Sequence, residues 1–165
     1  MILARCRTVD EAVDLLGGLR LCGKGYLFML ADARGGIRAV EKWHDRQAVR
    51  IPTDSALFFA NRFEAPTMQG FPVRSDAEHA DGRFRNLSAQ FSSALANGGY
   101  TLGFMRETLG LHTHVGSICR HGTDSPADFH AISEPAFLYR CRDMQMGVFS
   151  GVPCRTEPEW FGFDS

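Results

Sequence analysis

The chain lacks a CxxC pair, an internal repeat, a charge excess and a long apolar run. Each absence removes a class of protein. Its five cysteines, Cys6, Cys22, Cys119, Cys141 and Cys154, are odd in number and widely spaced in 165 residues. A disulfide framework is therefore not expected, and most of these thiols are expected to act as small buried hydrophobes. The longest apolar run, Tyr26–Ala31, is far too short to cross a bilayer. The opening Met1-Ile2-Leu3-Ala4-Arg5 has no extended apolar core of the kind a secretory signal carries, so the expected location is cytoplasmic. Net charge is -1, with both signs scattered, so no basic stripe points to nucleic acid and nothing points to a membrane surface. With no low-complexity tract, residues 1–165 read as one domain or a portion of one.

What is present suits a packed core. Hydrophobic residues make up 44% and charged residues 22% of the chain, and the 13 Phe favour layers packed on a sheet. Thr8 followed by Glu11 forms a capping box, and Ala12, Val13, Leu15, Leu16 and Leu19 continue it at helical spacing until Gly17-Gly18 stops it. Tyr26–Ala31 reads as a strand buried on both faces, and 32–36 as a turn. Strands are expected at 37–40, ending on Glu41, at 47–51, and at 56–60, the last running straight into Asn61. Residues 64–81, rich in Pro, Gly and charge, read as a long loop.

Residues 82–96 read as a helix with Phe84, Leu87, Phe91, Ala94 and Leu95 on one face. Thr101 caps a shorter helix carrying Leu102, Met105 and Leu109, stopped by Gly110. Residues 112–128 read mostly as loop. Strands follow near Ala131, at 136–139 and at 144–149, with a hairpin turn at 140–143 and Gly151 to Cys154 closing the sheet. Helices segregated from runs of strands predict an α+β fold with a mainly antiparallel sheet.

Few spacings carry chemistry alone. Asn61 follows an apolar segment, where a neutral amide can steady an oxyanion without adding charge; Asn also simply favours turns. His112, His114, Cys119 and His121 bring three imidazoles and a thiol into ten residues, enough ligands for tetrahedral zinc. Their H-x-H-x4-C-x-H spacing matches no usual zinc signature, and a loop that packs Cys119 and exposes polar rings accounts for it equally. No spacing selects a Cys–His nucleophile pair. Gly23-Lys24-Gly25 is not a phosphate loop, because a strand follows it. Arg83 and Arg85 open a helix, a mildly unfavourable place for cations, and one of them can orient a substrate carboxylate.

Taken in order, several segments resemble the acyl-coenzyme A:6-aminopenicillanic acid acyltransferase family, the C45 peptidase-like Ntn hydrolases. Cys6 to Ala12 is similar to its "tvdEA" helix. Tyr26 to Asp32 with Gly35 is similar to its central strand and turn, and Val40-Glu41 to its "vE" strand end. Ala60 to Phe63 resembles "TNHf", with Arg62 in place of His, and Arg83 resembles the start of an Arg-led helix. Gly116 to His121 resembles "GSICRH", and Gly151 to Cys154 resembles the closing "G-x-P-C".

The resemblance implies incomplete αββα layers and acyl-thioester chemistry on a linear amide bond. It implies Asn61 as oxyanion donor, with Arg83, Phe63 and Ser133 facing a small-molecule acyl-amide substrate. The family's nucleophilic cysteine lies upstream of the "tvdEA" helix, so this chain is expected to be a truncated, C-terminal portion, partnered by a complementary N-terminal chain or by itself. No cofactor or metal is expected on this reading. The alternatives are a catalytically inactive binding module of the same fold and a small metal protein built on the histidine-rich loop.

Overall fold

The structure is a computed structural model, and it describes residues 2–54, 56–71, 77–113, 115–121 and 135–163. The chain divides into two units, Met1–Asp76 and Ala77–Ser165. Each carries one three-stranded antiparallel sheet, so the α+β class holds.

The first unit begins with α1 (Ile2–Arg5) and α2 (Val9–Gly17). The capping box forms as the sequence requires: the Glu11 N–H donates to Thr8 Oγ1 at 3.2 Å and the Thr8 N–H to Glu11 Oε2 at 3.3 Å. Three strands follow, β1 (Tyr26–Ala31), β2 (Ile37–Trp43) and β3 (Arg46–Arg50), paired in the order β1-β2-β3.

The register puts Leu27, Glu41 and Ala48 on one face and Lys42 and Gln47 on the other. The second face carries α2: Gln47 Nε2 donates to the Val13 carbonyl and Arg38 pairs with Asp10 at 3.0 Å. The first face carries residues 63–71, where Phe63, Ala65 and Met68 pack against Leu27, Trp43, Ala48 and Phe71 around a short 3-10 turn, Pro66–Met68.

β1 is not buried on both faces. It is an edge strand with Tyr26 and Met29 over 40% exposed, while the central β2 holds four consecutive buried residues, Ala39 to Lys42. An all-apolar run does not reveal whether a strand has one neighbour or two. Residues 56–60 are not a strand, although Ala60 is buried. Their apolar character serves packing without a ladder.

The second unit comprises α3 (Ala77–Ala96), α4 (Leu102–Leu109), β4 (Ala136–Arg140), β5 (Gln145–Phe149) and β6 (Pro158–Gly162). Helix α3 starts earlier than the expected residue 82, and its outer position Leu95 is exposed. Thr101 caps α4 by accepting from the Phe104 N–H at 3.0 Å, and Gly110 ends it. Phe91 meets Phe104 edge-on at 5.0 Å between ring centres, which joins the two helices.

In the sheet, Leu138, Gly147 and Trp160 share a register row, with the indole lying across the bare Gly147. The opposite face exposes Phe137, Tyr139 and Phe161 by 40% or more. The expected end of the sheet at Cys154 is also corrected, because β6 extends it; Pro158, which removes a ladder donor, opens that strand. The strand expected near Ala131 lies outside the described residues. Among the described residues no helix is long and apolar enough to cross a membrane.

Candidate metal centre

The loop after α4 is held in shape by short polar contacts. The Leu111 carbonyl accepts from both the Ile118 and Cys119 N–H groups at 3.1 Å, so the chain doubles back on itself. Asn86, on α3, donates from Nδ2 to Thr113 Oγ1 at 2.9 Å and to the carbonyls of Val115 and Gly116 at 3.0 and 3.1 Å. Ser117 Oγ donates to the Thr113 carbonyl at 2.7 Å and accepts from the Thr113 N–H at 2.9 Å. Gly116 sits at φ 81, and a Cβ there would lie 2.2 Å from the Arg83 nitrogen and the Gly82 carbonyl carbon. Glycine is required at this point by the approach of the helix backbone.

A second loop comes from the β5–β6 connection. The Val152 carbonyl accepts from the Arg155 N–H at 2.9 Å and from Thr156 Oγ1 at 3.0 Å, forming a turn that presents Cys154. Gly110 lets this turn close in, since a Cβ on it would lie only 3.3 Å from the Cys154 Cα.

The two loops bring His112, Cys119, His121 and Cys154 together. One donor atom from each lies within 4.8 Å of all the others. His121 Nε2 is 3.1 Å from Cys154 Sγ, and the two imidazoles meet edge to face with centres 4.8 Å apart. Cys119 is fully buried, while His112 and Cys154 are exposed. Zinc bonds of roughly 2.3 Å to sulfur and 2.1 Å to nitrogen place tetrahedral ligands about 3.3–3.8 Å apart, so a small contraction of this quartet fits the ion. Two nitrogens and two thiolates suit a soft or borderline metal, and two thiolate charges balance a dication.

The sequence reading found three of the four donors. His114, which it grouped with them, lies outside the described residues, and Cys154 is the fourth potential donor. Nothing local flags Cys154. It is 33 positions from His121, and only the β5–β6 turn returns it to the loop. Asn86, which organises that loop, was likewise unsignalled.

Of the residues proposed for amide chemistry, Asn61 and Phe63 lie in the first unit and Arg83 in the second. Asn61 is exposed in a bend of the first unit at φ 55, a left-handed conformation that Asn tolerates. Phe63 is 8% exposed and belongs to the core, where its ring lies so close to Gly25 that a Cβ there would meet it at 2.4 Å. Arg83 is half-buried on α3 of the second unit, and Ser133 lies outside the described residues.

In the same unit, the wholly buried Glu41 carboxylate accepts from the Glu64 and Ala65 N–H groups at 3.0–3.1 Å and lies 3.6 Å from Arg50 Nη1. Arg62, the position where the resembled motif has His, donates from Nε and Nη2 to the two carboxylate oxygens of Glu64. On the other face, Lys42 is equally buried, and burial pushes its pKa below the usual amine value against a raising pull from Asp45.

No protein-family model, curated protein or solved structure matches this chain.

Proposed function

We propose that the second unit is a metal-binding module in which His112, Cys119, His121 and Cys154 hold one zinc ion in a closed tetrahedral site. The observation that carries this reading is the convergence of four ligand atoms, two imidazole and two thiol, within 4.8 Å from two separate loops. Four protein ligands leave no open position for a substrate, so the ion acts as a staple between the α4–β4 segment and the β5–β6 turn. Metal analysis of the chain purified from zinc-supplemented medium tests it. One equivalent of zinc is expected, falling to well under half in Cys119→Ser. Cobalt in its place should show a sulfur-to-metal charge-transfer band. Absence of stoichiometric metal in the wild-type chain overturns the assignment.

A second proposal keeps the amide-hydrolase resemblance. The open β4-β5-β6 sheet exposes Phe137, Tyr139 and Phe161 on one face, as a layer that belongs against another layer does. On this proposal the chain is the C-terminal portion of a cysteine Ntn hydrolase or acyltransferase. A complementary chain brings the nucleophile, and Asn61 donates to the oxyanion. Mixing candidate N-terminal chains with this one and trapping an acyl-thioester by mass spectrometry checks it. Loss of the adduct in Asn61→Ala supports it, and an unchanged adduct removes Asn61 from the chemistry.

A further inference from the structure

We propose that the metal centre is also a thiol–disulfide switch, in which a small-molecule disulfide oxidises Cys119 and Cys154 to a bond with each other and expels the metal. This rests on the metal reading above and adds the regulation of the same site.

Two features carry it. The two sulfurs are unlinked and lie within 4.8 Å of one another. Their exposures are opposite: Cys154 is open to solvent, while Cys119 is 0% exposed. The exposed sulfur is therefore the point of entry, and the buried one is placed to resolve the intermediate.

The backbones are already close. Cys119 is hydrogen-bonded through its N–H to the Leu111 carbonyl, and the neighbouring Gly110 packs against the Cys154 Cα. A disulfide needs its two Cα atoms near one another, and the two loops that carry these cysteines already approach at Gly110 and Cys154. The other cysteines are placed differently. Cys6 and Cys22 belong to the first unit, and Cys141 sits in the turn between β4 and β5.

The exchange balances. The Cys154 thiolate attacks one sulfur of the oxidant and displaces its first thiolate. The Cys119 thiolate then attacks the Cys154 sulfur, forms the intramolecular bond and releases the second thiolate. Two electrons pass from the protein sulfurs to the oxidant, which leaves as two thiolates. The metal dication is left with His112 and His121 alone and departs. The loops thus stay stapled in either state, by metal when reduced and by sulfur when oxidised.

The test treats the zinc-loaded full chain with oxidised glutathione beside a chromophoric zinc chelator, after metal content has been measured. The expected result is release of one equivalent of zinc, loss of the mass of two hydrogens, and a non-reduced tryptic species joining the peptides that end at Arg120 and Arg155. A thiol reductant with added zinc should restore the starting state. Cys141→Ser, outside the donor set, should release zinc at an unchanged rate. A chain that holds zinc but gives only glutathione adducts, or links Cys119 elsewhere, overturns the switch and leaves the metal site standing. A chain that takes no zinc yet forms the Cys119–Cys154 bond removes the metal reading and upholds the thiol pair.

Discussion

Lys42 lies wholly buried on the α2 face of β2, and its Nζ has no hydrogen-bond partner. Directly across the ladder, Gln47 Oε1 is unpartnered as well. An unsatisfied buried donor costs about 1–3 kcal/mol, so Lys42→Met, close in shape and free of the ammonium, should raise unfolding stability by about that amount. The pH dependence has a definite sign. Burial holds the folded pKa below the unfolded value, so between the two the unfolded chain binds more protons, and stability rises as pH rises through that window. Denaturant melts across the alkaline range should show this slope in the wild type and lose it in the variant. An unchanged slope would mean that Lys42 reaches water in solution.

Gly116 makes the opposite case, a residue whose side chain cannot exist. Its positive φ and the 2.2 Å approach to the Gly82–Arg83 backbone leave no room for a methyl group. Gly116→Ala should cost at least about 2 kcal/mol through strain and overpacking and should weaken zinc binding by distorting the loop that carries His112 and Cys119. Denaturation with a parallel zinc titration reads both effects, and a variant of wild-type stability would refute the close approach.

Among elements, α2 depends on a residue outside it. Asp32, in the β1–β2 turn, accepts from the Val9 N–H at 3.0 Å and from the Gly36 and Arg34 N–H groups at 2.9 Å. These bonds, that from Val9 first, hold its pKa below the usual carboxylate value against a smaller opposing effect of burial. The folded pKa is depressed, so its contribution is complete above the ordinary carboxylate range and is lost as pH falls through the lowered value. Asp32→Asn should remove that acid-side loss while weakening the α2 start at neutral pH. Helicity followed by circular dichroism between neutral and strongly acid pH measures it, and an identical acid profile would show that Asp32 does not anchor the helix.

The same elements show what the residue string discloses. Local chemistry set the α2 cap, the α4 cap and stop, the β1 bounds and the β4–β5 hairpin, because each depends on residues a few positions apart. Burial of β1, the missing ladder at 56–60 and the β6 strand depend on neighbours distant in sequence, and the periodicity of one strand does not encode them. The candidate quartet divides the same way: His112, Cys119 and His121 share a loop, whereas Cys154 joins only through the topology of its sheet.

At the scale of the whole molecule, the two units draw their order from different sources. The first is held by α2 and residues 63–71 on opposite faces of its sheet, with Glu41 tying the 64–65 backbone to β2. In the second, four potential ligand atoms, all from residues between 112 and 154, lie within 4.8 Å of one another. A ligand bound only by the folded form at about a hundred times its Kd adds about 2.7 kcal/mol, which slows exchange through unfolding about a hundredfold. Stripping zinc with a strong chelator should therefore accelerate amide exchange on that scale in 111–121 and along β4, β5 and β6. The amides of β1, β2 and β3 should keep their rates, because no donor lies in their unit. Hydrogen exchange by mass spectrometry on the full chain, with and without chelator, resolves the two sets. Equal acceleration in both would mean that the units unfold together and that the metal does more than staple two loops. No change in either would mean that the hydrogen bonds of Asn86, Ser117 and Leu111 hold the loop without any ion.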